Sequence, residues 1–272
     1  MPATQLSYRI ASRASRIVSR IRGYQKVILA GFEFRLAPGS SNFNYDFDGR
    51  EKLTGAQFVQ WTDLVQMQMF VKRLKMLDAP IVVDVGAYHG LYALLAGAFC
   101  SQAKQGRVLA FEPVAENYDI LQKNIALNNL EEWVTPINKA VGESSENLRI
   151  SRSGSQSQMV TDNSINSEIV DQVDLETGLP NTLQHIDILM IDVEGAELPV
   201  LRGFPWERID VSYIFCEFHP YAWKDFGYTA EDMTEFLKLR GFQAFDMFQK
   251  DQTACRSECY LGPILFRSIK AK

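Results

Sequence analysis

Four side chains that can move a proton or bind a cation lie at the ends of two strand-like apolar runs. Asp192 and Glu194 directly follow one run, and Glu217 and His219 end the next. Residues two apart on a strand share a face, so Glu217 and His219 are predicted to point together. A histidine with a pKa near its free value suits proton removal at neutral pH. We therefore expect His219 or Asp192 to act as a general base, with the other side chains positioning the substrate.

Two other uses of these four side chains stay open. Asp192 and Glu194 can instead cap the helix that follows them, because acids interact well with a helix N-terminus. Carboxylates with one imidazole also suit Mg²⁺ or Mn²⁺, and the candidate ligands are then Asp192, Glu217 and His219, with Glu194 beside them. The spacing does not demand a metal, so a divalent ion is possible but not expected.

A second group of candidate residues surrounds a glycine-containing turn, IVVDVGAYHG at residues 81–90. A buried strand is predicted to end after Asp84, and Gly86 and Gly90 bracket the turn into a helix. Glycine lets a ligand approach the backbone there, and the helix N-terminus offers N–H groups to a carboxylate. Glu112 ends the next strand, where a carboxylate can accept both hydroxyl protons of a ribose. The two strand ends together predict a nucleoside site.

The spacing of the glycines favours one class of nucleoside cofactor. A dinucleotide site needs GxGxxG, but Tyr88 and Leu91 occupy the second and third glycine positions after Gly86. Tyr88 would obstruct a pyrophosphate, whose close approach is the reason for the second glycine. S-adenosylmethionine has no phosphate and fits the pattern better. An NAD-dependent oxidoreductase remains the alternative enzyme.

The elements that must position these residues alternate between strands and helices. A helix is predicted from about 56 to 77, and after it strands and helices take turns. The predicted strands are 81–85, 107–111, 134–137, 186–191 and 211–218, with helices at 113–129 and 196–201 among those between them. Continuous apolar strands separated by helices are typical of a parallel sheet covered on both faces. We therefore predict a doubly wound, mostly parallel α/β sheet, with runs 243–248 and 260–266 pairing as an antiparallel hairpin at its end.

The N-terminal region differs from the rest of the chain. Before Glu33 there is no acid, and six basic residues fall within the first 30, with apolar residues recurring at helical spacing. This predicts a basic helix that lies on a membrane surface or another anionic partner, serves as a targeting segment, or packs on the following domain. Residues 1–54 are accordingly assigned to a helical extension and a turn-rich connection (36–56), and residues 55–272 to the catalytic domain. The polar segment 151–167 is either a surface loop or a mobile lid.

Composition limits the possible functions. The net charge of −5 argues against nucleic acid as a partner, and no apolar run approaches the roughly 18 residues of a membrane span. The four cysteines are not spaced like a zinc site. Reduced thiols and a cytoplasmic location are therefore expected. A non-catalytic module that binds a membrane or partner through the basic N-terminus stays open, and the oligomeric state is not predicted.

Five segments together resemble the FkbM-type methyltransferase family. They are DVGAYHGLY (84–92), FEPVAENYDILQKNIALNN (111–129), NKAVGE (138–143), DILMIDVEGAELPVLRG (187–203) and EFHP (217–220). The resemblance covers roughly residues 80–220 in the family's order and spacing. It implies the seven-stranded, Rossmann-like fold of S-adenosylmethionine-dependent methyltransferases. It also implies a small-molecule or glycan acceptor, such as a hydroxyl of a sugar, glycolipid or polyketide-type product.

The resemblance also implies roles for individual residues. Asp84, Gly86 and Gly90 would hold the methionine end of the cofactor and Glu112 its ribose, with Asn138 and Ala140 near the adenine. Ala87, Tyr88, Pro113 and Asp192 complete the expected cofactor-binding set. Two positions depart from the family, which usually has asparagine at position 88 and threonine or serine at position 93. Here these positions are Tyr88 and Ala93.

Overall fold

The computed structural model describes residues 23–41, 58–151, 167–245 and 262–268. The strands in these ranges are β1 (Gln25–Leu29), β2 (Phe32–Leu36), β3 (Ile81–Val85), β4 (Arg107–Phe111), β5 (Val134–Ile137), β6 (Ala140–Val141), β7 (Asn147–Ser151), β8 (Ser167–Val173), β9 (His185–Ile191), β10 (Asp210–Phe218), β11 (Phe242–Phe245) and β12 (Gly262–Ser268). The helices are α1 (Phe58–Leu74), α2 (Leu91–Ala103), α3 (Ala115–Leu127), α4 (Leu175–Gly178), α5 (Glu197–Arg202), α6 (Pro220–Phe226) and α7 (Ala230–Leu239).

Several predicted features lie outside the described residues. They are the basic segment before residue 23, most of the connection at 36–56, the polar stretch 152–166, and the cysteines at 255 and 259. The other two cysteines, Cys100 and Cys216, are buried. In the described part of the chain, no helix combines the length and apolarity needed to cross a membrane.

Seven of the described strands form one sheet in the order β11, β12, β10, β9, β3, β4, β5. From β10 to β5 all neighbours run parallel, whereas β12 is antiparallel to both β10 and β11. The predicted mostly parallel α/β sheet, with an antiparallel pair at its end, is therefore confirmed. The five predicted parallel strands coincide with β3, β4, β5, β9 and β10 to within one residue.

Helices cover both faces of this sheet because the parallel strands are apolar on both sides. Along β9, Ile188 and Met190 belong to one core, and Leu189 and Ile191 belong to the other. The first core holds α1, α2 and α3, and the second holds α4, α5 and α7. The predicted helix at 56–77 is α1, which ends earlier than predicted, at Leu74.

The register brings four strand ends to one edge of the sheet. Val85 at the end of β3 pairs with Phe111 of β4 and with Ile191 of β9, which in turn pairs with Cys216 of β10. The chain moves outward from β3 through β4 to β5, and β9 then returns to the other side of β3. Open α/β sheets bind ligands at such a change of direction.

The prediction of an N-terminal helix is wrong for Gln25–Leu29, because these residues form strand β1. Strands β1 and β2 form an antiparallel hairpin, joined by Ala30 and Gly31 with φ of 52° and 87°. Positive φ at both central residues is the requirement of a type I′ two-residue hairpin turn. Alternate residues of the hairpin are buried, and Leu29, Phe34 and Leu36 enter the core that also contains α1, α2 and α3. The period of two in this segment, rather than a helical period, is the signal that sequence reasoning missed.

Gly86, which follows β3 at this edge of the sheet, has no room for a side chain. Its φ is +85°, and a Cβ there would lie 1.8 Å from the carbonyl oxygen of Asp192. We expect Gly86→Ala to lower the free energy of unfolding by more than about 2 kcal/mol, since backbone must move and a left-handed residue is strained. Urea denaturation measures this loss.

The matched control is Gly227→Ala. Gly227 also has a positive φ of +71°, but a Cβ added there would meet no other atom within 4 Å. Only the conformational cost of about 1–2 kcal/mol should appear. Equal losses in the two variants would contradict the inferred contact between the ends of β3 and β9.

Candidate functional site

The turn after β3 is held by the end of β4. The N–H groups of Gly86 and Ala87 both donate to the carbonyl of Phe111, at 3.0 and 2.9 Å. Tyr88 follows with a φ of 49°, in the left-handed region, and its ring stacks on His89 at 3.7 Å between centroids. These contacts fix the path of the predicted cofactor turn before helix α2 begins.

Glu112 anchors the turn from the other side. Its Oε2 accepts the N–H of Tyr88 at 2.8 Å, and its Oε1 accepts the N–H of Val114 at 2.9 Å and Nδ2 of Asn117 at 3.2 Å. Burial raises the pKa of Glu112 to about 7, although these hydrogen bonds oppose the shift. A carboxylate has about four acceptor sites. The protein therefore leaves about one site, and not the two that a ribose diol would need.

Asp84 is a buried acid with unused hydrogen-bonding capacity. Its carboxylate accepts the backbone N–H of Ala93, but Oδ2 has no hydrogen-bond partner among the described residues. Burial, together with the nearby charge of Asp192, raises the pKa of Asp84 to about 8. A buried polar atom without a partner is costly, so a cationic donor reaching Oδ2 would be stabilising.

An open cavity of about 840 Å³, solvent included, lies at this edge of the sheet. Six of the predicted cofactor residues line it: Gly86, Tyr88, Glu112, Pro113, Ala140 and Asp192. The other four predicted cofactor residues do not line it: Asp84, Ala87, Gly90 and Asn138. Nδ2 of Asn138 donates hydrogen bonds to the carbonyls of Glu112 and Pro113, at 2.9 and 3.0 Å. These two bonds tie Asn138 to the segment that follows β4.

The outer wall of the cavity was not predicted. Strands β6, β8 and β7 form a small separate sheet, and Ala140, Leu148 and Ile150 from β6 and β7 line the cavity together with Val114. Their apolar side chains pack into a cluster of their own. The signal in the sequence is weak, because only Leu148 and Ile150 alternate on a strand of five residues.

His219 lies between the three acids that were predicted to be catalytic. It is almost fully buried, and its Nε2 lies 3.7 Å from Asp192 Oδ1, 3.7 Å from Glu194 Oε2 and 3.9 Å from Glu217 Oε1. The expectation that Glu217 and His219 point together is met. The four candidate side chains thus form one cluster, and Asp192 and Glu194 also line the cavity.

The expectation that His219 has a pKa near its free value is wrong. Burial alone would lower it, but the hydrogen bond to Glu197 and the charges of Asp192, Glu197 and Glu194 raise the pKa of His219 to about 10. The imidazole is therefore a cation at neutral pH in this arrangement. A general base must be able to accept a proton, whereas both ring nitrogens of a cationic His219 are already protonated.

Glu197 is the residue of the site that sequence reasoning missed. Its side chain is fully buried, and Oε1 lies 2.6 Å from Nδ1 of His219. Trp223 Nε1 and the Tyr228 hydroxyl donate to Oε2 at 2.8 and 2.7 Å. The signal is an acid at the start of a short helix whose next four residues are apolar, ELPVLR. A buried acid in such a helix needs partners.

The structure bears differently on the two alternative roles of these acids, helix capping and metal binding. Ala196 is the N-cap of α5, and no side chain caps the helix, so Asp192 and Glu194 are not its caps. Ligand atoms of Asp192, Glu194 and His219 do lie within 4.8 Å of one another, with Glu194 in the place expected for Glu217. A cation there would require Nε2 of His219 to lose its proton, and no metal is proposed.

The chain is similar to known methyltransferases. The model of the methyltransferase FkbM domain matches residues 84–244. Methyltransferase sdnD of Sordaria araneosa is 31% identical over 167 residues, which cover 48% of this chain and 63% of the relative. Methyltransferase 1 of Beauveria bassiana (strain ARSEF 2860) is 27% identical over 161 residues, covering 49% and 63%. The match thus spans less than two thirds of the length of either curated relative.

A crystal structure of a methyltransferase FkbM from Methylobacillus flagellatus KT is similar over 70% of this chain and 44% of that one, with 16% identity and a TM-score of 0.44. The matched family region begins at Asp84 and contains the glycine turn, Glu112 and the acid cluster around His219. Because the family model covers more than half of the chain, this protein belongs to the FkbM methyltransferase family.

Proposed function

We propose that this chain is an S-adenosylmethionine-dependent O-methyltransferase. Its acceptor would be a hydroxyl of a small molecule or glycan, such as a sugar, a glycolipid or a polyketide-type product. The observation that carries the proposal is the cavity at the ends of β3, β4 and β9, which has an apolar wall and is lined by acids. Asp84, whose Oδ2 has no partner among the described residues, interacts electrostatically with Asp192 and Glu112 of this lining. Membership of the FkbM family supports the same reaction.

The residues present fit S-adenosylmethionine. The unpartnered Oδ2 of Asp84 suits an ammonium group. The wall containing Leu148 and Ile150 suits an adenine ring. Asp192 and Glu194 line the same cavity and suit a positive sulfonium. When bound, this cofactor supplies a methyl group activated by positively charged sulfur.

The alternative NAD-dependent enzyme fits less well. Glu112, Asp192 and Glu194 line the cavity, and Lys139 is its one cationic side chain within the described part of the chain. Like charges would repel a pyrophosphate in this cavity. Tyr88 also stands where a dinucleotide site needs glycine.

The chain's own residues must align an acceptor and take its proton. His219 is held as a cation by its surroundings, which leaves Asp192 as the favoured base of the two predicted. Asp192 lines the cavity, and 36% of its side chain is exposed. His219, Glu194 and Glu217 would then set the position and charge of Asp192.

The acidic cluster also favours a neutral acceptor. A carboxylate or phosphate on the acceptor would face Asp192, Glu194 and Glu217 at close range, whereas a hydroxyl is not repelled. Tyr221 stands beside the cluster with 48% of its surface exposed, and its hydroxyl donates to Glu194. An exposed aromatic ring can stack on a sugar or an apolar ring. Trp223 and Tyr228 are buried and belong to the core instead.

The proposed activity is tested by calorimetry and mass spectrometry. We expect the protein to bind S-adenosylhomocysteine, the demethylated cofactor, and to show no binding of NADH at the same concentration. Incubation with S-adenosylmethionine and a panel of hydroxylated acceptors should add the mass of one methyl group to a neutral acceptor. Tight binding of NADH without binding of S-adenosylhomocysteine would overturn the proposal.

Asp84→Asn should separate cofactor binding from stability. The pKa of Asp84 is raised to about 8 by burial. Its contribution to the free energy of unfolding is therefore full at low pH and is lost as the pH rises from about 4 towards 8. An asparagine does not ionise, so the variant should gain thermal stability over the wild type at pH 8 relative to pH 5. Its affinity for S-adenosylhomocysteine should fall at least about tenfold, since an ammonium loses a charged partner.

The control is Asp119→Asn, at an exposed position of α3. It should change neither the pH dependence of the melting temperature nor the binding. The assignment of Asp84 fails if Asp84→Asn behaves like this control in both measurements.

A further inference from the structure

The Glu197 carboxylate has no capacity left for a substrate. Oε1 accepts Nδ1 of His219 at 2.6 Å and the N–H of Gly195 at 3.2 Å. Oε2 accepts Trp223 Nε1 at 2.8 Å and faces the Tyr228 hydroxyl at 2.7 Å. The single proton of that hydroxyl is shared with the carbonyl oxygen of Gly195, which also lies at 2.7 Å. A carboxylate has about four acceptor sites, and here a protein atom faces each of them. Whatever Glu197 contributes to function must act through these neighbours.

The carboxylate determines which nitrogen of His219 carries a fixed proton. Burial alone would raise the pKa of Glu197, but the hydrogen bond and charge of His219 and the hydrogen bond of Tyr228 lower it overall. An ionised carboxylate can only accept, so Nδ1 of His219 must donate. The nitrogen that remains, Nε2, is the one that faces the other acids.

Nε2 of His219 lies among three carboxylates, so its position affects the charge balance of all three. Asp192 and Glu194 approach it from the turn after β9, at 3.7 Å each, and Glu217 approaches from the end of β10, at 3.9 Å. Tyr221 of α6 closes the cluster through its hydrogen bond to Glu194. A positive imidazole between three carboxylates reduces their mutual repulsion. If the ring turned away, the carboxylates would separate and the favoured base, Asp192, would move.

We propose that Glu197 is a positioning residue for methyl transfer, which holds the His219 ring with a proton on Nδ1 and directs Nε2 at the carboxylates of Asp192, Glu194 and Glu217. Its role in turnover rests on the proposed function. The placement of the His219 ring does not, and it is measurable in the protein without any substrate.

A merely structural role is the competing explanation. Glu197 also ties α5 to Trp223 of α6 and to Tyr228 before α7, so its loss must affect stability. Trp223→Phe provides the matched comparison, because it removes one donor from the same carboxylate and leaves the contact with His219 in place. A structural role predicts the same consequences for His219 in Trp223→Phe and in Glu197→Gln.

The test is nitrogen NMR of the histidine rings in ¹⁵N-labelled full-length protein, in buffer with EDTA. The chain has three histidines, so signals can be assigned by substituting His89 and His185. In the wild type, Nδ1 of His219 should carry a proton throughout the titration. In Glu197→Gln the ring should lose this pattern, and its titration midpoint should fall by at least about one pH unit, because a buried negative partner is gone. Trp223→Phe should keep the wild-type pattern.

Turnover provides the second readout. In Glu197→Gln, kcat should fall at least about tenfold and its pH profile should shift, whereas KM for S-adenosylmethionine changes little. Trp223→Phe should keep the wild-type pH profile even if it is less stable to heat.

The NMR and turnover results each support or overturn a specific part of the proposal. A neutral His219 with its proton on Nε2 in the wild type overturns the proposal, even if Glu197→Gln does not fold. Identical His219 spectra in Glu197→Gln and the wild type overturn it as well. If the spectra behave as expected but the wild type transfers no methyl group, the placement of His219 stands. The proposed function, and the role of Glu197 in turnover with it, would then be wrong.

Discussion

Repulsion between carboxylates at one edge of the sheet is the constraint around which the site is built. Six acids meet there: Asp84, Glu112, Asp192, Glu194, Glu197 and Glu217. Burying several like charges without compensation is costly, and each acid is stabilised in a different way. Hydrogen-bond donors surround Glu112, burial favours the protonated form of Asp84, and His219 stands among the other four.

This distribution of charge explains why a cationic ligand suits the cavity. Asp192 and Glu194 belong to the imidazole cluster and also line the cavity, so they link its charge to whatever binds there. The raised pKa values of Asp84 and Glu112 have burial as their main cause, and a positive group nearby would reverse that effect. The same arrangement would reject an anionic ligand. Electrostatics and family membership thus lead to the same class of cofactor.

The sheet provides the rigidity that such a cluster needs. Parallel register places the ends of β3, β4, β9 and β10 side by side, and helices pack on both faces. Gly86 lets the end of β3 touch the carbonyl of Asp192, and the backbone turn is tied to Phe111. The backbone of these strand ends cannot move apart to reduce the repulsion, so the compensation must come from side-chain positions, protons, donors and ligands.

The parallel strands and the residues at their ends were predictable from sequence, because apolar runs between helical segments specify a buried parallel sheet and the motifs lie at the carboxyl ends of these runs. The order of the strands in the sheet was not predicted. The hairpin β1–β2 was mistaken for part of a helix, since a basic, helix-periodic stretch precedes it and hides a short alternation. The small sheet of β6, β7 and β8 was missed because β6 has only two residues and β8, SEIVDQV, is largely polar. Only the tertiary structure decided the charge of His219. A pKa depends on neighbours that are distant in sequence, and Glu197, 22 residues away, became such a neighbour through the packing of α5 against the end of β10.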